Sequence, residues 1–148
     1  MNTIFDKATR DSLVGRVNTL GQNSTGQWGK MNIYQMLKHC TLAEEMYLGR
    51  KQYSRTFLGR LIGPMALKNM LKDDRPLGRN APTNSHFKVR ETNGDVEAEK
   101  KKWILLLEEY AAYSMPSFEH WFFGNMTKEQ LGQFVYKHTD HHLRQFNS

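Results

Sequence analysis

The sequence has a single cysteine, Cys40, so no disulfide can form within the chain. None is needed, because 148 residues can bury roughly two-thirds of their unfolded surface in one core. One domain spanning residues 1–148 is the expectation. Long apolar runs are also missing. The longest uninterrupted aliphatic run is Ile104 to Leu107, far short of the ~20 residues that a spanning helix requires. Met1 to Arg16 lacks the apolar stretch of a signal peptide, so a cytoplasmic location and no membrane partner are expected. Acidic residues are scarce from Arg50 to Arg79. Only Asp73 and Asp74 face Arg50, Lys51, Arg55, Arg60, Lys68, Lys72, Arg75 and Arg79, an excess equal to the net charge of +6. Such a field attracts anions or merely keeps the surface solvated. Its aromatics, Tyr53 and Phe57, are too few for a base-stacking platform, so nucleic acid is not expected.

What is present reads as helices. Leu13, Val14, Val17 and Leu20 share one face of a helix near Asp6–Leu20, ended by Gly21 and the polar run after it. Asn32 with Gln35 forms a capping box for a second helix, which runs to about Gly49. Thr127 with Gln130 repeats that grammar for a last helix reaching about Phe146. Between them Asp95–Ser114 reads as another long helix, with a stripe of Trp103, Leu106, Leu107, Tyr110 and Ser114, and Pro116 ends it. Arg55–Leu71 reads as a shorter helix that breaks near Gly63-Pro64, and residues 72–94 read as loop. The long connection lets the helices on either side of it run parallel. The expected fold is therefore all-α: a four-helix bundle, up-down-down-up, with a long crossover between its second and third helices.

Six histidines carry the candidate chemistry. His138 and His142 are four apart, so they share a helix face about 5–6 Å apart and can hold one divalent ion. His39 lies about 10 Å past the cap of its helix. If its helix runs antiparallel to the last one, the three imidazoles converge. Thr139 after His138 excludes the His-Glu-x-x-His motif of zinc proteases. His141 points about 100° away from its neighbour and reads as a surface residue. Cys40 reads as a small buried apolar residue. Gln145, one turn beyond His142, either bonds near the site or packs beside it. His120 either serves in proton transfer at the mouth or is an ordinary loop residue. Trp121, Phe122 and Phe123 read as a cap on the bundle end. No carboxylate falls on the histidine face at an obvious spacing.

The last helix reads His138-Thr139-Asp140-His141-His142-Leu143-Arg144-Gln145, preceded by His120-Trp121-Phe122-Phe123-Gly124. The other end carries Trp28-Gly29-Lys30-Met31 and Gln35-Met36-Leu37-Lys38-His39. Together these segments resemble the DinB-like superfamily of metal-dependent enzymes, over roughly residues 28–49 and 118–145. The resemblance implies a metal triad of His39, His138 and His142, zinc or nickel as the ion, and the same up-down-down-up bundle. It also implies a homodimer and a small-molecule substrate such as a low-molecular-weight thiol. Thiol S-transfer and hydrolysis are the reactions it suggests. Three histidines leave coordination positions open, the pattern of catalytic rather than structural metal sites. The alternative is a non-catalytic helical protein, either an interaction scaffold whose histidines pack a core or one whose basic face binds a polyanion.

Overall fold

The computed structural model describes residues 1–148. It contains five α-helices and a two-stranded sheet: α1 (Lys7–Thr19), α2 (Ile33–Tyr47), α3 (Phe57–Met70), α4 (Val96–Glu109), β1 (Ser117–His120), β2 (Gly124–Thr127) and α5 (Lys128–Gln145). No helix is long and apolar enough to cross a membrane.

Local chemistry sets the helix ends. The Asn32 side chain accepts the Gln35 N–H at 2.9 Å, and Gln35 Oε1 accepts the Asn32 N–H at 3.1 Å. Thr127 and Gln130 build the same reciprocal box at 3.2 and 2.9 Å. Each box satisfies two amide donors that a helix start leaves bare. The C-terminus of α2 closes with Gly49 at φ +78°, a left-handed conformation that glycine adopts without steric cost. The Gly49 N–H then reaches Met46 O and the Arg50 N–H reaches Glu45 O.

Side-chain contacts fix the helix directions. Along α2, His39, Glu44 and Tyr47 meet His142, Thr139 and Phe134 in turn, so α2 and α5 are antiparallel. Thr41, Glu45 and Arg50 meet Glu99, Lys102 and Glu109, so α2 and α4 are parallel. Helix α1 runs parallel to α5, with Ile4 bonded to Gly132 and Arg16 to Asp140. It runs antiparallel to α4, with Lys100 bonded to the Leu20 carbonyl and Phe5 against Tyr110. The core between these four helices includes Leu13, Val17, Met36, Leu37, Trp103, Leu107, Leu131 and Val135.

The structure amends several expectations. Five helices form near where the sequence placed them, but the all-α class misses a hairpin, and residues 72–94 hold a 3-10 turn, Ser85–Phe87. Strands β1 and β2 pair antiparallel, Phe118 opposite Met126 and His120 opposite Gly124. Residues Trp121–Phe123 turn between the strands rather than simply capping the bundle. Helix α4 ends at Glu109 and tightens into a 3-10 turn, Tyr110–Ala112, instead of continuing to Ser114. Helix α3 does not break at Gly63-Pro64 but runs through it. Pro64 removes one backbone donor, but it lies on the exposed side beside exposed Arg60, where solvent can satisfy the freed carbonyl. The inner side of α3 is held close to the hairpin: a Cβ on Gly63 would overlap the Phe122 carbonyl.

Candidate metal centre

The antiparallel pairing of α2 and α5 brings His39 to His138 and His142. Ring centroids lie 4.8 Å apart for His39–His142 and His138–His142, and 5.5 Å for His39–His138. One nitrogen from each ring lies within 4.8 Å of the other two. His39 and His142 are buried and His138 is partly buried. Burial holds all three below the usual imidazole range, with His138 and His142 displaced furthest. Mutual repulsion adds to this for both of those residues. The rings are therefore neutral near neutral pH, the form that binds metal.

Neutral rings still need a tautomer, and the surroundings choose it for two of them. His39 Nδ1 lies 2.9 Å from the Phe87 carbonyl oxygen. A carbonyl only accepts, so Nδ1 carries the proton and Nε2 keeps its lone pair. Gln145 Nε2 donates to the Trp28 carbonyl at 2.9 Å, which fixes the amide orientation. Gln145 Oε1 then faces His142 Nδ1 at 2.9 Å and accepts its proton. His142 Nε2 is left bare as well. Outer partners that orient ligand imidazoles in this way are a regular feature of metal sites. The three-histidine group could hold a metal ion.

Gly29 makes the Gln145 link possible. Its φ is +81°, and a Cβ there would stand 2.6 Å from Gln145 Nε2. The Trp28–Gly29 segment thus approaches α5 only because glycine occupies the turn. The Gln27 N–H donates to the Gln145 carbonyl at 2.7 Å, tying the same segment to the end of α5.

The remaining candidates take other places. His120 is buried at the end of β1, outside the converging cluster. Its Nδ1 accepts the N–H groups of Phe122 and Phe123 at 3.1 and 3.2 Å, closing the hairpin turn. Burial lowers its pKa to about 3. A proton on Nδ1 would also break both bonds. Cys40 is buried, donates to Met36 Sδ, and burial pushes its thiol well up. His141 is only partly exposed, with its ring edge-on to Trp28.

Sequence reasoning missed Glu44. It is completely buried where α2, α4 and α5 meet. The Tyr110 hydroxyl donates to it at 2.6 Å and the Thr139 hydroxyl at 3.4 Å. Burial raises its pKa to about 7, against the opposing pull of these hydrogen bonds. The signal was available. Glu44 sits seven residues after Leu37 and four after Cys40, an acid on the buried stripe of α2.

A family model described as "Protein of unknown function (DUF1569)" matches residues 5–148. No curated protein and no solved structure matches the chain.

Proposed function

The chain belongs to the DUF1569 family, whose description assigns no activity, so its function must be argued from the site: we propose a metal-dependent enzyme centred on His39, His138 and His142. One observation carries the reading. Two of the three converging imidazoles commit their Nδ1 protons to oxygen acceptors, which leaves the Nε2 of each free to bind an ion.

The contacts among α1, α2, α4 and α5 support an up-down-down-up four-helix bundle of the DinB-like kind. On that reading the ion is zinc or nickel, and α3 with the hairpin is an addition at one end. A divalent ion held there supplies Lewis acidity, making a bound water or thiol a nucleophile near neutral pH. The chain's own residues do the positioning. Gln145 and the Phe87 carbonyl orient their histidines, and His120 stabilises the hairpin beside Tyr47 and Phe134. The substrate class is a small molecule: a low-molecular-weight thiol with an electrophile, or an activated ester.

Less supports a polyanion-binding scaffold. Arg50, Lys51 and Arg75 are already paired with Glu109, Glu45 and Asp73, and Arg79 packs over the Trp28 ring at 4.2 Å.

Elemental analysis of tag-free protein tests the proposal. Wild type should carry about one zinc or nickel per chain, and His39→Ala and His138→Ala should both lose it. Metal-loaded wild type should then turn over a thiol–electrophile pair or an activated ester faster than His142→Ala. Failure to take up a divalent ion on titration would sink the reading.

A further inference from the structure

Helix α3 is built inside out. Its buried residues are Gly59, Gly63 and Leu67, one stripe at four-residue spacing. The glycine stripe lies against the hairpin turn: a Cβ on Gly59 would come 2.5 Å from the Phe122 carbonyl oxygen. The opposite arc carries Phe57, Leu58, Leu61, Ile62 and Met65, which are 78, 56, 64, 45 and 75 % exposed. Small residues thus face the protein and large apolar ones face solvent. Monomer stability gains little from that arrangement, since burying those side chains would have been favourable and glycine weakens a helix. Contiguous apolar surface of this kind marks a contact site.

The charges around the patch say what kind of partner it suits. No acidic residue occurs between residues 46 and 72. Arg60 and Lys68 on α3, and Lys72 just beyond it, are exposed or partly exposed and form no ion pair in the structure. Lys68 follows Phe57 by three turns on the same edge. It can keep its ammonium at a polar boundary while its stem lies along apolar surface. The face is convex, five side chains riding on one helix. It presents roughly 500–600 Å², taking ~150–200 Å² for each fully exposed large side chain. That falls below the ~800 Å² per partner of a standard protein interface. A second copy would also set Arg60 and Lys68 of one helix against the same cations of another, with no acid on either helix to pair them.

We propose that α3 docks in the plane of an anionic phospholipid surface, with Phe57, Leu58, Leu61, Ile62 and Met65 in the acyl boundary and Arg60, Lys68 and Lys72 at the headgroups. An apolar face flanked by Lys and Arg, with no acid on the helix itself and the nearest in sequence, Asp73 and Asp74, just beyond its C-terminal end, is the pattern of an interfacial helix. Lying on a bilayer needs no spanning segment, so the chain's lack of one leaves this mode open. The proposal does not depend on the metal centre.

Sedimentation with phosphatidylcholine vesicles, with and without phosphatidylserine, tests it on the full chain. The protein should pellet with the phosphatidylserine vesicles and release as salt rises. Leu61→Asp combined with Met65→Asp should weaken binding by about tenfold or more, and Lys68→Glu with Lys72→Glu should do the same. Leu105→Asp, at an exposed apolar position of α4, should bind like wild type. The altered side chains are exposed, and circular dichroism confirms that each variant is folded. Absence of vesicle binding by wild type overturns the proposal, as does unchanged binding by the α3 variants. A dimer in analytical ultracentrifugation that dissociates in Leu61→Asp also overturns it, in favour of a second copy.

Discussion

Two regions of this molecule invert the usual distribution of side chains, and they do so in opposite directions. Between α2 and α5, polar groups go inside: His39, His142, Glu44, Thr139 and Gln145 are all buried. On α3, large apolar groups go outside. The buried polar region is internally answered. His39 bonds Phe87, His142 bonds Gln145, and Glu44 takes hydroxyls from Tyr110 and Thr139. The exposed apolar region has no such answer within the chain. Burying polar groups is tolerable only when partners are supplied, and for His39, His142 and Glu44 they are. Exposing apolar groups carries no comparable local remedy, so its explanation lies in what the surface meets.

Mutation can break or sharpen this contrast. The largest effect should come from the ordinary core. Leu37→Ala should cost about 2–5 kcal/mol in denaturant unfolding, because Leu37 is completely buried in close packing. A cost below 1 kcal/mol would mean that the helices are loosely packed.

Next comes Glu44, where the effect depends on pH. Its folded pKa, about 7, lies above the ordinary 4.5, so the folded state holds a proton that the unfolded state has released. Stability tied to this group is therefore present at low pH and lost as pH rises from about 4.5 through 7. Glu44→Gln should grow more stable relative to wild type from pH 5 to pH 8, by roughly 3 kcal/mol. Thermal melts at several pH values would show it. The histidines act in the opposite sense. Their folded pKa values are depressed, so apo protein should lose stability as pH falls below about 6.5, where unfolded imidazoles take up protons.

Third is the orientation of the metal centre. Gln145→Ala removes the acceptor that fixes the His142 tautomer, and on the proposed reading should weaken uptake of a divalent ion by about 10–100-fold in a competition titration. Gly29→Ala should move in the same direction, since a Cβ would push Gln145 off the Trp28 carbonyl. Equal affinity in both variants would mean that the Gln145 bond does not tune the site.

The smallest effect should be on α3. Leu61→Ala should change unfolding stability by no more than about 0.5 kcal/mol, as an exposed side chain with few native contacts. A loss of 2 kcal/mol or more would show that the face is covered in solution.

The site was partly legible before the structure. His138 and His142 announce themselves by four-residue spacing, which a helix turns directly into proximity. His39 required a topological guess. Glu44 was missed because it lies off the histidine face. Its partners, Tyr110 and Thr139, come from two other helices. The tautomers of His39 and His142 were not legible, since they depend on the carbonyls of Trp28, in a loop, and Phe87, in a 3-10 turn far away in sequence. The hairpin was missed because its strands are only four residues long and its turn is closed by the His120 side chain.

The sequence by itself determined the starts of α2 and α5, because a capping box is chemistry between residues three apart. It also determined most of the apolar stripe of each long helix, because that periodicity is local, though Ser114 falls outside α4 and Glu44 was missed. Tertiary structure alone decided which residues meet across helices. The convergence of three imidazoles, the isolation of Glu44 and the outward turn of the α3 apolar face all depend on how close two backbones pass. That distance is set by packing over the whole chain: at Gly59 and Gly63 two absent side chains let a helix lie on a hairpin, and its larger residues are left pointing away.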